Sequence, residues 1–83
     1  MPTILRISGW RLYFYSNEGE EPEHIHARKG DMECKYRLLR QEYDIQEVWS
    51  CALSNAGRRE IRKIIFDNFE YILLQWDEYF NYF

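Results

Sequence analysis

The two histidines of this 83-residue chain lie two positions apart, in the segment Glu21-Pro22-Glu23-His24-Ile25-His26. Side chains two positions apart on a β-strand point to the same face of the sheet. His24 and His26 are therefore expected to lie side by side. Imidazole groups titrate near neutral pH and are common metal ligands, so acid–base catalysis or metal binding is the chemistry that this pair could perform.

One interpretation of the pair is metal-free phosphoryl chemistry on RNA. One histidine would act as the base toward the ribose 2′-OH, and the other as the acid toward the leaving 5′-oxygen. Lys35, Arg28 or Arg37 would stabilise the negative charge that develops in the transition state.

Two other interpretations compete with catalysis. In the first, His24 and His26 bind a metal with a carboxylate from Glu18, Glu21 or Asp31. Two histidines do not make a site, and neighbouring cations would oppose a dication, so we expect no tightly bound metal and no cofactor. In the second, the histidines hydrogen-bond to the acidic loop and shape a surface that binds a partner. The residues alone leave open whether the protein is an enzyme.

Two hairpins are expected to position these side chains. Residues 3–7 and 10–16 are rich in β-branched and aromatic residues and flank the turn signal Ser8-Gly9. A two-residue turn there pairs Ile7 with Trp10, Leu5 with Leu12 and Thr3 with Phe14, and it also places Arg6 opposite Arg11.

The second hairpin consists of strands 24–29 and 32–38 around the turn Gly30-Asp31. On one face this register pairs His24 with Arg37, His26 with Lys35 and Arg28 with Glu33. Both histidines are thus predicted to be exposed beside cations. The proposed binding residues Arg28, Arg37 and Glu21 surround them.

Helical patterns fill the rest of the chain. Asp44 followed by Glu47 resembles a capping box, which favours a short helix over 45–52, with a fifth strand as the alternative. Ser54 can cap a long helix over about 55–80, whose apolar stripe is Ile61, Ile65, Phe69, Ile72, Trp76 and Phe80. We therefore expect an α+β fold: two β-hairpins forming a small, mainly antiparallel sheet, packed by a short helix and a long C-terminal helix.

The long helix has basic residues near its start, including Arg59 and Lys63, which the helix dipole disfavours. They could bind a phosphate or an acidic protein, or they could form a solvated face with a pair between Lys63 and Asp67. The aromatic C-terminus is expected to contact a second copy in a two-fold homodimer through Trp76, Phe80, Tyr82 and Phe83. The alternative is that the tail folds back over its own sheet and the protein is monomeric.

Composition narrows the class of protein. The chain is long enough for one small domain, residues 1–83, and its net charge of −3 argues against indiscriminate binding to nucleic acid or anionic membrane. It has two cysteines, no export signal and no membrane-spanning apolar run. We therefore expect reduced thiols and a cytoplasmic protein that does not bind membranes.

Several segments together resemble a family of small bacterial proteins known as domain of unknown function 4160. The similar segments are Met1-Pro2-Thr3-Ile4-Leu5-Arg6-Ile7, Phe14-Tyr15-Ser16-Asn17-Glu18-Gly19, Glu21-Pro22-Glu23-His24-Ile25-His26, Lys35, Leu53-Ser54, Glu60-Ile61 and Trp76-Asp77-Glu78-Tyr79-Phe80. The resemblance implies a component of a toxin–antitoxin pair, with a cognate antitoxin-like partner protein from the family numbered 2442. It implies no activity that could be assigned to particular residues.

Overall fold

A computed structural model describes residues 3–15 and 20–80. Five strands form one antiparallel sheet in the order β1-β2-β3-β4-β5, and two helices follow. The elements are β1 Thr3–Ile7, β2 Trp10–Tyr13, β3 His24–Lys29, β4 Met32–Leu39, β5 Asp44–Cys51, α1 Asn55–Asp67 and α2 Phe69–Phe80. The predicted α+β class, with a small antiparallel sheet packed by helices, is confirmed.

Both predicted hairpins form around their predicted turns. Ser8 and Gly9 have positive φ angles of 53° and 82°, and Gly30 has a φ of 58°. Such left-handed conformations match the twist of the strands that a two-residue turn joins. The turns therefore fix the register of the sheet beside them.

The first hairpin departs from its predicted register at its open end. Ile7 pairs with Trp10 and Leu5 with Leu12, as expected, but the register shifts between Thr3 and Leu5. Thr3 consequently pairs with Tyr13 and not with Phe14, and β2 ends at Tyr13. A bulge of this kind cannot be foreseen from the turn alone, because it adds one residue on one strand only.

The short helix predicted over 45–52 is wrong, and the alternative of a fifth strand is correct. This segment is β5, which pairs antiparallel with β4. Asp44 pairs with Leu39 at one end and Cys51 with Glu33 at the other, and the register shifts between Lys35 and Tyr36. Asp44 caps no helix, and its Oδ1 accepts a hydrogen bond of 2.8 Å from the N–H of Ile45. Pairing with a distant strand has overridden the local capping signal.

The single helix predicted over about 55–80 is two helices in the structure, α1 and α2. Ser54 caps α1 as predicted, since its Oγ accepts a hydrogen bond of 3.0 Å from the N–H of Gly57. The helix stops at Asn68, where φ is −118° and the side-chain amide donates to the carbonyl of Ile64 at 2.8 Å. Asparagine competes for helix carbonyls in this way, which explains the break before α2.

The apolar stripe continues across this break into one core. Its members lie on α1, α2 and the side of the sheet that faces both helices, and the largest are Trp10, Phe14, Tyr36, Phe69 and Trp76. Trp76 is 2% exposed, so its ring packs within the chain, and the homodimer itself stays a prediction. Phe80 is half-buried against the same core, whereas Tyr82 and Phe83 lie outside the described residues. Neither of the two helices is long and apolar enough to cross a membrane.

Candidate functional site

The register of β3 and β4 brings together the side chains that were predicted to surround the two histidines. His24 pairs with Arg37, His26 with Lys35 and Arg28 with Glu33, as the turn at Gly30 predicts. We call the sheet face that carries these six side chains the open face, because the core between the sheet and both helices lies on the opposite face. Trp76 of α2 nevertheless also contacts the ring of His24. The sequence therefore located the neighbours of the histidines correctly.

The histidines are buried, contrary to the prediction that they are exposed. His24 is 1% and His26 is 4% exposed. The ring of His26 stacks on Tyr13, with centroids 5.4 Å apart, and meets the edge of Tyr15 at 4.7 Å. The ring of His24 lies 5.0 Å from Trp76 and 5.1 Å from the ring of His26. Aromatic side chains from β2, from the residues that follow it and from α2 thus cover a pair that a two-stranded hairpin alone would leave in water.

The hydrogen bond of His24 fixes its tautomer. Its Nδ1 lies 2.8 Å from the carbonyl oxygen of Pro22. A carbonyl can only accept, so Nδ1 carries the hydrogen. In the neutral ring only Nε2 could then take up a proton. This bond also anchors the residues that precede β3, which shape one wall of the site.

Glu21 forms an ion pair with Lys35. Its Oε1 is 3.1 Å from the Nζ of Lys35 and 4.0 Å from the Nδ1 of His24. The Lys35 side chain is 19% exposed, and that of Glu21 is 48% exposed. The ammonium group of Lys35 is therefore neutralised by a carboxylate from the loop, an arrangement that the strand register alone could not reveal.

A cleft of about 410 Å³ opens between this loop and the last two strands. Its lining includes charged and polar side chains from the loop, β3, β4 and β5, among them Glu21, His24, Lys35, Arg37 and Gln46. Small-molecule sites commonly have a volume of about 300–1,000 Å³. The cleft is thus large enough to admit a small polar ligand beside Lys35.

A row of three arginines crosses the open face beside the histidines. Arg6 pairs with Arg11 on β1 and β2, and Arg11 pairs with Arg28 on β2 and β3. The guanidinium group of Arg11 lies 4.5 Å above the ring of Tyr13, and its Nε donates to Thr3 Oγ1 at 2.7 Å. The sequence identified the pair of Arg6 and Arg11, but it could not show that β2 lies next to β3.

Aromatic residues of the open face were also missed. Trp49 pairs with Lys35 and is 42% exposed, and Tyr15 is 36% exposed. Trp49 was assigned to a helix, so its position beside Lys35 could not be inferred. Strict alternation along β5 would place Trp49 on the core face with Ile45, and it is the register shift opposite Lys35 and Tyr36 that moves Trp49 to the open face.

Two predicted binding residues lie elsewhere. Arg59 and Lys63 are exposed on α1, which packs on the other face of the sheet. Lys63 donates a hydrogen bond of 2.8 Å to Asp67, four residues further along, which is the predicted i,i+4 pair. The structure does not bring Arg59 or Lys63 together with the histidines.

No cluster of three or more histidine, cysteine or acidic side chains is placed to hold a metal ion within residues 3–15 and 20–80. Asp31 lies in the turn between β3 and β4, at the far end of the hairpin from His24. Glu18 falls outside the described residues. Glu21 has its Oε1 4.0 Å from the Nδ1 of His24, and the same oxygen is engaged by Lys35.

A charged network on the helix side holds β4 and β5 against α1. Glu47 accepts hydrogen bonds from Arg58 at 2.9 Å and from the Tyr36 hydroxyl at 2.7 Å. These donors, Arg58 first, lower the pKa of Glu47 to about 2. Burial and the same carboxylate raise the pKa of Tyr36 above its ordinary value. The network stabilises the strand that presents Trp49.

A second ion pair ties the segment before β3 to α2. Arg40 donates hydrogen bonds to Glu23 and to Asp77, the latter at 2.7 Å. Both carboxylates raise the pKa of the guanidinium group. The backbone N–H of Leu38 also donates to the carbonyl of Glu23 at 2.8 Å. The start of β3, where His24 lies, is thus held from two sides.

Comparison with known proteins identifies a family for this chain, and that family has no assigned activity. Residues 9–77 match the model of a family described as "Domain of unknown function (DUF4160)". Neither a search of curated proteins nor a search of solved structures gave a match. The family model spans the histidines, the arginines of β2 and β3, and most of both helices. The chain belongs to the DUF4160 family.

Proposed function

We propose that this protein is a cytoplasmic module that binds single-stranded RNA across the open face of its sheet. The observation that carries the proposal is the row Arg6–Arg11–Arg28, which lies beside the exposed aromatic residues of the same face. Single-stranded nucleic acids are bound by such a combination of cations for the backbone and rings for the bases.

The arginine row is unfavourable for the protein alone. Like charges directly opposite each other on neighbouring strands repel, and here the repulsion occurs twice in succession. Among residues 3–15 and 20–80, no carboxylate lies within 4.0 Å of the side-chain nitrogens of Arg6 or Arg28. Guanidinium groups spaced by one strand, about 5 Å apart, can contact successive oxygens of a polyanion. A bound phosphate chain would offset the repulsion.

The aromatic residues provide surfaces for bases. Trp49 and Tyr15 lie on either side of the row formed by His26 and Lys35. Stacking of a base on such a ring contributes about 1–3 kcal/mol and does not require a particular base. The face therefore favours single strands, whose bases are free to stack, over duplexes.

The net charge of −3 does not contradict this assignment. The sheet register places Arg6, Arg11, Arg28, Lys35 and Arg37 on the open face, together with Glu33. Binding depends on the local field of the surface that meets the ligand. The open face is thus basic although the whole chain is acidic.

Titration of a labelled single-stranded RNA at increasing salt concentration tests the proposal. Each phosphate that the protein neutralises on a single strand contributes about −0.7 to the slope of log K against log salt. Three arginines therefore predict a slope of about −2 or steeper. Absence of binding at low salt, or a slope near zero, would contradict the proposal.

Metal-free cleavage of the bound RNA is the second candidate function. It is favoured by the two imidazole rings, 5.1 Å apart, beside Lys35. Both rings are buried, so cleavage requires the covering loop or rings to move aside. Incubation of the protein with RNA in excess chelator tests this function. The wild type is expected to give products that end in a 2′,3′-cyclic phosphate, and the His24→Gln variant is expected to give none.

The resemblance to toxin–antitoxin components is compatible with the same surface. A cognate antitoxin-like protein that blocks RNA binding would have to cover the arginine row. It would therefore present acidic side chains to Arg6 and Arg28. Competition between such a partner and RNA for the open face is the outcome that this arrangement predicts.

A further inference from the structure

We propose that the cleft beside Lys35 binds the terminal phosphate of an RNA strand, and that Glu21 occupies the position of this phosphate when RNA is absent. The inference rests on the proposed binding of RNA to the open face. It adds a site that recognises the end of the strand and that the Glu21 carboxylate fills when RNA is absent. The rest of the open face would bind the backbone and the bases of the RNA.

The position of Glu21 shows that the cleft already holds an oxyanion. Its carboxylate lies 3.1 Å from the Nζ of Lys35 and 4.0 Å from the Nδ1 of His24. The Lys35 side chain is 19% exposed, whereas that of Glu21 is 48% exposed. Ion pairs with an exposed partner contribute little to stability, so an anion from solution can replace this carboxylate at small cost.

A second cation of the cleft is available to the incoming anion. Arg37 lines the cleft and is exposed. Within the part of the chain that the structure describes, no carboxylate lies within 4.0 Å of its guanidinium nitrogens. Arginine binds phosphate with two parallel hydrogen bonds, and lysine binds it as a point charge. Together, Lys35 and Arg37 suit one phosphate group.

Charge favours a terminal phosphate over an internal one. A phosphodiester carries a single negative charge, as the Glu21 carboxylate does, and a tethered carboxylate has the advantage of a high effective concentration. A phosphate monoester carries a charge of about −1.5 to −2 near neutral pH. The monoester is therefore the group that can displace Glu21, while a diester gains nothing by doing so.

The cleft also has room for the nucleotide that carries the phosphate. Its volume of about 410 Å³ lies within the range of small-molecule sites. Gln46, which pairs with Arg37 and lines the cleft, can both donate and accept hydrogen bonds at a base edge. Trp49 is exposed nearby on β5, so the next base can stack on its ring.

Fluorescence titrations with three forms of one RNA sequence test the inference: a 5′-phosphate, a 3′-phosphate, and hydroxyl groups at both ends. The wild-type protein is expected to bind one phosphorylated form about tenfold more tightly than the hydroxyl form. Glu21→Gln is expected to tighten binding of that form about two- to fivefold, and Arg37→Gln to remove the preference. Arg59→Gln, an exposed cation on the other face, is the matched control and should change neither value.

The outcomes separate this inference from the proposed function. Equal affinity for the three RNAs, or weaker binding of the phosphorylated RNA by Glu21→Gln, would overturn the end-recognition site while leaving RNA binding intact. Failure of all three RNAs to bind would overturn both. Circular dichroism of each variant ensures that a lost preference is not loss of folding.

Discussion

His26 and Tyr13 are partners across β3 and β2, and their rings lie nearly parallel, 5.4 Å apart with an interplanar angle of 16°. Tyr15 closes the other side of the imidazole ring. The histidine is thus part of a small aromatic stack on the open face. Its first role in the structure is packing, and any chemical role depends on the same stack.

Substitution of His26 by alanine should therefore destabilise the protein. Removal of a ring that is 96% buried leaves a cavity between two tyrosines, and such changes cost about 2–4 kcal/mol. Urea denaturation followed by tryptophan fluorescence measures the loss. The control Arg59→Ala, at an exposed position of α1, should change stability by less than about 0.5 kcal/mol. A similarly small effect of His26→Ala would show that the ring is not packed.

Reversal of one charge in the arginine row should raise the stability of the fold and weaken RNA binding at the same time. Arg6→Glu places a carboxylate opposite Arg11 and replaces repulsion by attraction, which should stabilise the fold by about 0.2–1 kcal/mol at low salt. The same change should weaken RNA binding, because it removes one cation of the row. Thermal unfolding and RNA titration of the same sample check both effects. A variant that is less stable and binds RNA unchanged would contradict the role assigned to this row.

The ion pair of Glu47 predicts a specific dependence of stability on pH. The folded state lowers the pKa of Glu47 from 4.5 to about 2, so the folded protein binds fewer protons than the unfolded chain between these values. The contribution is complete above pH 4.5 and is lost as the pH falls toward 2. Near neutral pH, Glu47→Gln should cost about 1–2 kcal/mol. The difference in unfolding free energy from the wild type should shrink on acidification, and a difference that stays constant would contradict the account.

The two thiols should react at different rates. Cys34 is buried, and burial raises its pKa to about 12, whereas Cys51 is exposed at the end of β5. The thiolate is the reactive form, so native protein should incorporate one equivalent of iodoacetamide, at Cys51. Peptide mapping by mass spectrometry identifies the modified residue, and both thiols should react in urea. Rapid modification of native Cys34 would show that β4 is not packed as described.

The sequence predicted those parts of the site that depend on neighbouring residues. The turn at Gly30 fixes the pairing of His26 with Lys35 within fourteen residues, from His24 to Arg37, and local geometry suffices there. It could not predict the burial of His26, because Tyr13 and Tyr15 come from another hairpin. Local signals also misassigned β5, whose conformation depends on pairing with β4.

In the helical part of the chain, too, the sequence predicted what depends on local pattern and missed what depends on contacts between elements. The apolar stripe from Ile61 to Trp76 predicted which side chains are buried, since packing follows the 3.6-residue period. The break at Asn68 was missed because the stripe continues through it, and the hydrogen bond from the Asn68 side chain to Ile64 at the end of α1 leaves no mark on the stripe. Phe14 packs against Trp76 within one chain, and the stripe alone could not distinguish this burial from burial against a second copy.

The central claim is that the open face, and not the helical face, binds RNA, and a matched pair of charge reversals tests it most directly. Arg28→Glu and Arg59→Glu each change the net charge by the same amount, on exposed positions of opposite faces. Fluorescence anisotropy with one labelled single-stranded RNA at low salt compares their dissociation constants. Arg28→Glu should weaken binding at least about tenfold, as expected for loss of a charged hydrogen bond, while Arg59→Glu stays within about twofold of the wild type. Equal loss in both variants would mean that binding follows net charge, and a loss confined to Arg59→Glu would place the RNA on the other face.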